Sequence, residues 1–234
     1  MEIFRLHNLI NTFTISYDKL RAFLTHIAMK YSTHVPFHNV LKAISGLHCM
    51  HFFLTTADLG PKLDPVHTLA LIFVCCVHDV DHPGVTNSYL SRTLGEQGQE
   101  NDKSLERHHL TIALAALQMP QLDFLGHMGK QNYKHFENLV EELIFCTDMS
   151  TQGNILLEWG HLEEQTRCGA EEMPGEEWEL LVAEKDLCLC KLAVLCADLG
   201  SHAMAPQIMK QTVNLLFQEL GVEPRRSVLH PKRV

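Results

Sequence analysis

The sequence has little positive charge. Its 19 lysines and arginines stand against 28 aspartates and glutamates, which gives a formal net charge of −9. This composition excludes a basic stripe of the kind that neutralises nucleic-acid phosphates, although a local pocket could still hold one small anion. We therefore expect no nucleic-acid partner.

Long apolar runs and a targeting pattern are also absent. The longest apolar run, Leu69 to Val77, is too short to cross a bilayer. Residues 1–30 show no basic start followed by an apolar stretch, so we expect no membrane segment. The 8 cysteines fall mostly in apolar runs, which suits buried reduced thiols and predicts a cytoplasmic protein. No feature indicates an oligomeric state.

Strand patterns are missing as well, since no alternation of apolar and polar residues persists. Helical periodicity dominates and predicts an all-α, compact multi-helix bundle, with residues 1–234 as a single domain. We expect loops at 91–102 and 166–177. The run Leu69 to Val77 reads as a central helix, with a buried strand as the alternative. Helices are predicted at about 17–30, 38–54, from 65 onwards, 104–118, 136–147, 177–199 and 206–220.

Histidine is abundant, with 16 in the chain. A histidine that stands alone in the sequence is usually an ordinary surface or core residue. That interpretation covers His7, His26, His67, His127, His135, His161 and His230. The clustered histidines direct attention to metal chemistry.

The densest cluster is His78-Asp79-Val80-Asp81-His82-Pro83-Gly84, directly after the apolar run. Imidazole nitrogen suits zinc, and carboxylate oxygen suits magnesium or manganese. Glu106-Arg107-His108-His109, Thr147-Asp148 and Asp198 are further candidates. For each of these taken singly, a charge at a helix end is the simpler explanation.

Taken together, five motifs resemble the class I cyclic nucleotide phosphodiesterases, which are HD-type metal phosphohydrolases. The resemblance covers roughly residues 17–220, and the motifs come in the family's order. They are Val35-Pro-Phe-His-Asn39, His78-Asp-Val-Asp-His-Pro-Gly84, Leu105-Glu-Arg-His-His109, Thr147-Asp-Met-Ser150 and Cys196-Ala-Asp-Leu199.

The resemblance implies metal-dependent hydrolysis of cyclic AMP or cyclic GMP to nucleoside 5′-monophosphates, with two divalent metals, zinc and magnesium or manganese. It implies Asp79 as the ligand shared by both metals, His78 and Asp198 as ligands of the tighter one, and His38 as the general acid. Contacts to the phosphate or to waters on the second metal are implied for His82, Glu106, His108, His109 and Thr147.

The chain departs from the family at Lys42, where the family has a further metal-binding histidine. A unit charge about 4 Å from a dication is repelled by roughly 8 kcal/mol at an effective dielectric of 20. We expect Lys42 to lose its proton, to turn towards solvent, or to be replaced as a ligand by His34, and metal binding to be weaker. The family's base-gripping glutamine and phenylalanine have no match here, so we expect the base-binding helices to be lacking.

Three functional hypotheses follow. The first is a cyclic nucleotide phosphodiesterase. The second is a catalytically impaired relative that acts as a regulatory or binding module, motivated by Lys42. The third, a phosphohydrolase of another nucleotide, is disfavoured by the five ordered motifs.

Overall fold

The computed structural model describes residues 1–57, 59–94, 104–169 and 174–221. The described residues form α-helices and short 3-10 turns, with no strand among them. In chain order the helices are α1 (Glu2–Leu6), α2 (Leu9–Thr12), α3 (Tyr17–Lys30), α4 (Val40–Thr55), α5 (Pro65–Val77), α6 (Asn87–Leu94), α7 (Ser104–Leu117), α8 (Lys130–Phe145), α9 (Gln152–Gly169), α10 (Gly175–Asp198) and α11 (Pro206–Leu220).

Helix α5 lies at the centre of the bundle, in contact with α4, α8 and α10. Asp64 caps its start, because one side-chain oxygen accepts from the backbone N–H groups of Val66 and His67. Pro65 occupies the first turn, where a missing N–H costs nothing. Leu69 to Val74 are at most 1% exposed, which explains why the run is apolar on every side.

The all-α prediction is confirmed, and the alternative of a buried strand at Leu69 to Val77 is wrong. Helix α8 begins at Lys130, six residues before the prediction, because its first turns are polar and carry no apolar periodicity. Helices α6 and α9 were not predicted. They include residues 91–94 and 166–169 of the expected loops, and much of those loops lies outside the described residues.

A continuous apolar core joins the helices and runs from Phe4 on α1 to Ala197 on α10. The ends of α5 and α10 and the beginning of α4 meet at one end of this core. Within the described residues, no helix combines the length and apolar composition needed to cross a bilayer.

Candidate active site

His78 and Asp79 follow the last residue of α5 and are both buried. The His78 N–H donates to the Val74 carbonyl at 2.9 Å, and ring atom Nδ1 donates to the same oxygen at 3.1 Å. This fixes the ring so that Nε2 faces the interior of the site. The apolar helix therefore delivers one nitrogen and one carboxylate from the core.

The chain then turns back through two residues with left-handed backbone, Asp81 at φ 59° and Gly84 at φ 73°. Glycine adopts this conformation without strain, whereas aspartate is one of few other residues that tolerate it. The Gly84 N–H donates to His82 Nδ1 at 3.0 Å. The turn thus returns the buried His82 ring towards the end of α5.

Asp198, the last residue of α10, completes the predicted metal-ligand set. Its Oδ1 lies 2.9 Å from His78 Nε2, and Asp79 Oδ2 lies 3.1 Å from the same nitrogen. One ligand atom from each residue falls within 4.8 Å of the others. The fold brings together three residues that are up to 120 positions apart.

Lys42 occupies the centre of this set. Its Nζ lies 2.6 Å from Asp79 Oδ2 and 3.2 Å from His78 Nε2, and it forms a further ion pair with Asp198 Oδ1. The lysine side chain is 8% exposed. The expectation that Lys42 turns towards solvent is wrong.

The other two alternatives for Lys42 also fail. Burial favours a neutral amine, but the charges of Asp198 and Asp79 outweigh it and raise the Lys42 pKa above its ordinary value, so the proton is retained. His34 is exposed and lies outside the cluster. Lys42 stays buried and charged because the two carboxylates compensate for the hydration that its ammonium loses.

The charged groups of the cluster shift one another's pKa. Burial and the charge of Lys42 disfavour a charged ring at His78, but Asp79 and Asp198 outweigh them and raise its pKa to about 9. Burial likewise raises the pKa of both carboxyl groups, whereas His78 and Lys42 lower it and leave both ionised. The two carboxylates thus stabilise the positive charge of Lys42 and of His78.

His78, Asp79 and Asp198 offer the nitrogen and oxygen ligands that zinc, magnesium or manganese use. An ion bound by all three would need the position that the Lys42 ammonium holds. Even about 4 Å from the ammonium, a dication would be repelled by roughly 8 kcal/mol at an effective dielectric of 20. The donor set therefore matches a metal, but the folded site with Lys42 does not fit one.

Beside the Lys42 cluster, an imidazole is paired with a carboxylate. His38 Nδ1 lies 2.5 Å from Glu219 Oε1, and Glu219 Oε2 accepts the N–H groups of Phe37 at 2.8 Å and His38 at 3.0 Å. Glu219 is 3% exposed. Burial raises its pKa, but the hydrogen bond and charge of His38 more than offset this and lower it. The pair fixes the orientation of the His38 ring.

The sequence alone did not reveal Glu219, because it lies 181 residues from His38 and belongs to no motif. An acidic residue on the inward face of α11 was the one available signal. His38, His82 and Glu219 each offer one ligand atom within 4.8 Å of the others.

Three imidazole rings stack across the site. The ring centroids of His38 and His82 are 4.0 Å apart, and those of His82 and His109 are 5.6 Å apart. Burial lowers the pKa of His82 to about 3 and that of His109 to about 4. Both rings are therefore neutral near pH 7, and His109 Nδ1 donates to the Val80 carbonyl at 2.7 Å.

Glu106 and Thr147, the remaining predicted residues, are held by their own surroundings. Glu106 is buried and accepts from Asn87 Nδ2 at 3.0 Å, while Asn87 Oδ1 accepts from the Leu105 N–H. Asn87 was not predicted. The Thr147 hydroxyl donates to the Ile144 carbonyl at 2.8 Å, which ties it to the end of α8.

A cleft opens beside His82. Its volume is about 420 Å³, and its walls include His34, Val35, Asp81 and His108. This size falls within the range of small-molecule pockets. His108 Nε2 lies 3.0 Å from Asp81 Oδ2 at the exposed rim.

The family model for 3′5′-cyclic nucleotide phosphodiesterase matches residues 37–223. The chain belongs to this family. The match begins just before His38 and includes the Lys42 cluster, the three stacked histidines and Glu219, whereas His34 and Val35 of the cleft lie before it.

Two curated relatives of this phosphodiesterase-family chain are cyclic-AMP phosphodiesterases by name. The mouse protein 3′,5′-cyclic-AMP phosphodiesterase 4C is 33% identical over 156 residues, which is 66% of this chain and 23% of the mouse protein. The Caenorhabditis elegans probable 3′,5′-cyclic-AMP phosphodiesterase pde-4 is 35% identical over 156 residues, again 66% of this chain and 23% of the relative. The chain thus spans about a quarter of the length of these relatives.

Solved structures share the fold. The phosphodiesterase domain of the RhoPDE fusion protein from the choanoflagellate Salpingoeca rosetta superposes with a TM-score of 0.81 at 24% identity, over 97% of this chain and 69% of that one. A second structure, of the phosphodiesterase domain of the Salpingoeca rosetta rhodopsin phosphodiesterase, gives a TM-score of 0.83 at 24% identity, over 97% and 67% of the two chains. The helical bundle is therefore that of phosphodiesterase domains.

Proposed function

We propose that this chain acts in cyclic nucleotide signalling as a catalytically impaired phosphodiesterase-like module, with a regulatory or binding role. The observation that carries the proposal is the Lys42 ammonium between His78, Asp79 and Asp198. In metal-dependent phosphate hydrolysis, dications both activate the attacking water and offset charge on the phosphoryl oxygens. An ammonium in that position coordinates no attacking water and carries half the charge of a dication.

The proposed ligand is a 3′,5′-cyclic nucleotide held at the cleft beside His82. The cleft volume of about 420 Å³ supports a small molecule of this class. The names of the mouse and worm relatives favour cyclic AMP over cyclic GMP. We keep His82, Glu106, His109 and Thr147 as proposed contacts to the ligand or its waters.

A second candidate function is hydrolysis of the cyclic nucleotide to the 5′-monophosphate. The retained pair of His38 and Glu219 favours it, because a positioned imidazole can protonate a leaving sugar oxygen. In this candidate His38 would be the general acid, and His78, Asp79 and Asp198 would have to hold a metal in competition with Lys42.

One experiment separates the two candidates. Wild type, Lys42→His and His38→Ala are assayed for hydrolysis of cyclic AMP and cyclic GMP with manganese in excess, and bound metal is measured on the same samples. The proposal expects wild type to show no turnover above His38→Ala and no bound ion at the cluster. Lys42→His should gain a divalent ion, because the cation is replaced by a fourth donor.

The matched control is Lys191→His, which changes a lysine paired with Glu142 at 2.9 Å outside the site. It should gain neither metal nor activity. Wild-type turnover that His38→Ala abolishes would overturn the impaired role and establish the second candidate. Binding of cyclic AMP by wild type, read by calorimetry, tests the ligand separately.

Residues 1–234 are proposed to form a single phosphodiesterase-like domain, which the continuous core from Phe4 to Ala197 supports. The cytoplasm is the proposed location, because all 8 cysteines are free thiols and a reducing compartment suits them.

A further inference from the structure

A second group of metal-binding side chains lies at the start of α5, away from the cluster around Lys42. It consists of Asp64, His67 and His135, and each offers one ligand atom within 4.8 Å of the others. His67 and His135 appear unremarkable in the sequence because 68 positions separate them. Packing of α5 against α8 brings them together, with ring centroids 5.2 Å apart.

His67 has an unusual ring nitrogen. Its Nδ1 is buried and makes no hydrogen bond with any described residue, although Asp64 Oδ1 lies 3.0 Å away. A buried polar atom without a hydrogen bond destabilises the fold. A ligand that accepts the nitrogen lone pair would remove this cost, and a metal ion is such a ligand.

The spacing agrees with a shared ion. Two ligand atoms on one tetrahedral zinc, each about 2.1 Å from it, are about 3.4 Å apart. The observed 3.0 Å between His67 Nδ1 and Asp64 Oδ1 is close to this value. Asp64 Oδ1 also accepts both capping hydrogen bonds, whereas Oδ2 takes no part in the cap and offers the ion a second oxygen.

The local charge also favours a cation. Asp186 on α10 is near enough for Asp64 to raise its pKa, in addition to burial, and for His67 to lower it. Asp64 and Asp186 thus both contribute to the electrostatic surroundings of His67. Two imidazoles and a carboxylate suit zinc and other borderline divalent ions better than calcium or magnesium.

We propose that Asp64, His67 and His135 form a zinc-type metal site that links the start of α5 to α8. Three protein ligands leave a position for water, and the exposed His135 lets an ion enter from solvent. The site is distinct from the Lys42 cluster, and the proposal does not depend on the proposed function.

The test titrates the untagged full chain with Co²⁺, whose visible absorption reports its ligands, and then displaces it with Zn²⁺. Wild type should bind one equivalent at this site. Two variants should weaken binding at least tenfold: His135→Ala, which removes an exposed ligand, and Asp64→Ser, which keeps a capping hydroxyl but removes the carboxylate.

Two controls locate the ion. His161→Ala removes an exposed histidine of α9 outside the cluster and should bind like wild type. His38→Ala tests the other histidine group, His38, His82 and Glu219. Binding that survives His135→Ala but is lost in His38→Ala would overturn the proposal, as would a wild-type chain with no Co²⁺ spectrum. Hydrolysis assays do not enter this test, so its failure is separable from that of the proposed function.

Discussion

Replacement of Lys42 by methionine should destabilise the protein more than an ordinary surface change. Methionine keeps most of the length and the apolar stem of lysine but removes the ammonium. Asp79 and Asp198 would then have His78 as the one cation left within the cluster. The mutation leaves buried charge uncompensated without opening a large cavity.

The magnitude follows from the burial of the cluster. Removal of one partner from a buried ion pair costs about 3–5 kcal/mol, because the other charge remains out of water. Lys42 is 8% exposed and Asp79 12% exposed at the side chain, so solvent screens them little. For a domain of this size, each kcal/mol lowers Tm by about 2–4 °C, so the expected loss is about 6–20 °C.

The assay is urea and thermal denaturation in the presence of a chelator, with helicity followed by circular dichroism. Lys191→Met is the matched control, since Lys191 pairs with a Glu142 side chain that is 54% exposed. That pair should contribute at most about 1 kcal/mol. Lys42→His should also be destabilised with chelator but recover when zinc or manganese is added.

Two results would contradict this prediction. If Lys42→Met unfolds within 1 kcal/mol of wild type, the ammonium does not compensate the carboxylates as the distances indicate. If Lys42→His shows no response to metal, then His78, Asp79 and Asp198 are not a latent metal-ligand set.

Three further predictions follow from the site. Glu219→Ala should lower the unfolding free energy by about 2–3 kcal/mol, because the buried N–H of Phe37 loses its acceptor. Gln218→Ala on the same helix should have little effect, and urea titration measures both variants. Stability should fall as pH drops from 6.5 towards 4, because burial lowers the pKa of His109 to about 4 and that of His82 to about 3, and the unfolded chain takes up both protons first. His109 contributes roughly 3 kcal/mol of this fall, so His109→Asn should make this limb shallower, while His82 keeps part of it. Stability should also fall as pH rises from 6.5 through 9, because the His78 pKa is raised to about 9 and its stabilising charge is lost there; denaturation midpoints across pH test for a maximum near 6.5.

The sequence predicted most of the long helices from their apolar period or from start signals, with α9 as the exception. Helix α5 is the clearest example, since Asp64 and Pro65 mark its start and the apolar run fills the core. Helices α1 and α2 are too short to show a period. Helix α9 was missed because its buried positions, such as Ile155 and Leu162, are sparse among polar residues.

Site residues that are neighbours in one motif could be predicted from the sequence. Residues that distant helices bring together could not. His78 and Asp79 follow the end of a buried helix, so their inward position follows from that helix. Glu219 could not be found in this way, because its contact with His38 depends on how α11 packs. The group of Asp64, His67 and His135 likewise depends on α5 meeting α8.

The motif comparison identified Lys42 as the position where the chain departs from the family. It did not predict which groups the lysine side chain contacts. The sequence shows the cost of placing an ammonium beside a metal, and from that cost we expect a neutral lysine, a lysine turned towards solvent, or His34 as the ligand. It does not give the alternative in which Asp79 and Asp198, fixed at the ends of α5 and α10, bind the ammonium itself. A lysine side chain is longer than a histidine side chain, so from the same helical position its charge reaches past the place of a ligand to the place of the ion. Under the proposed function, the lysine places a covalently attached cation where the metal required for hydrolysis would bind.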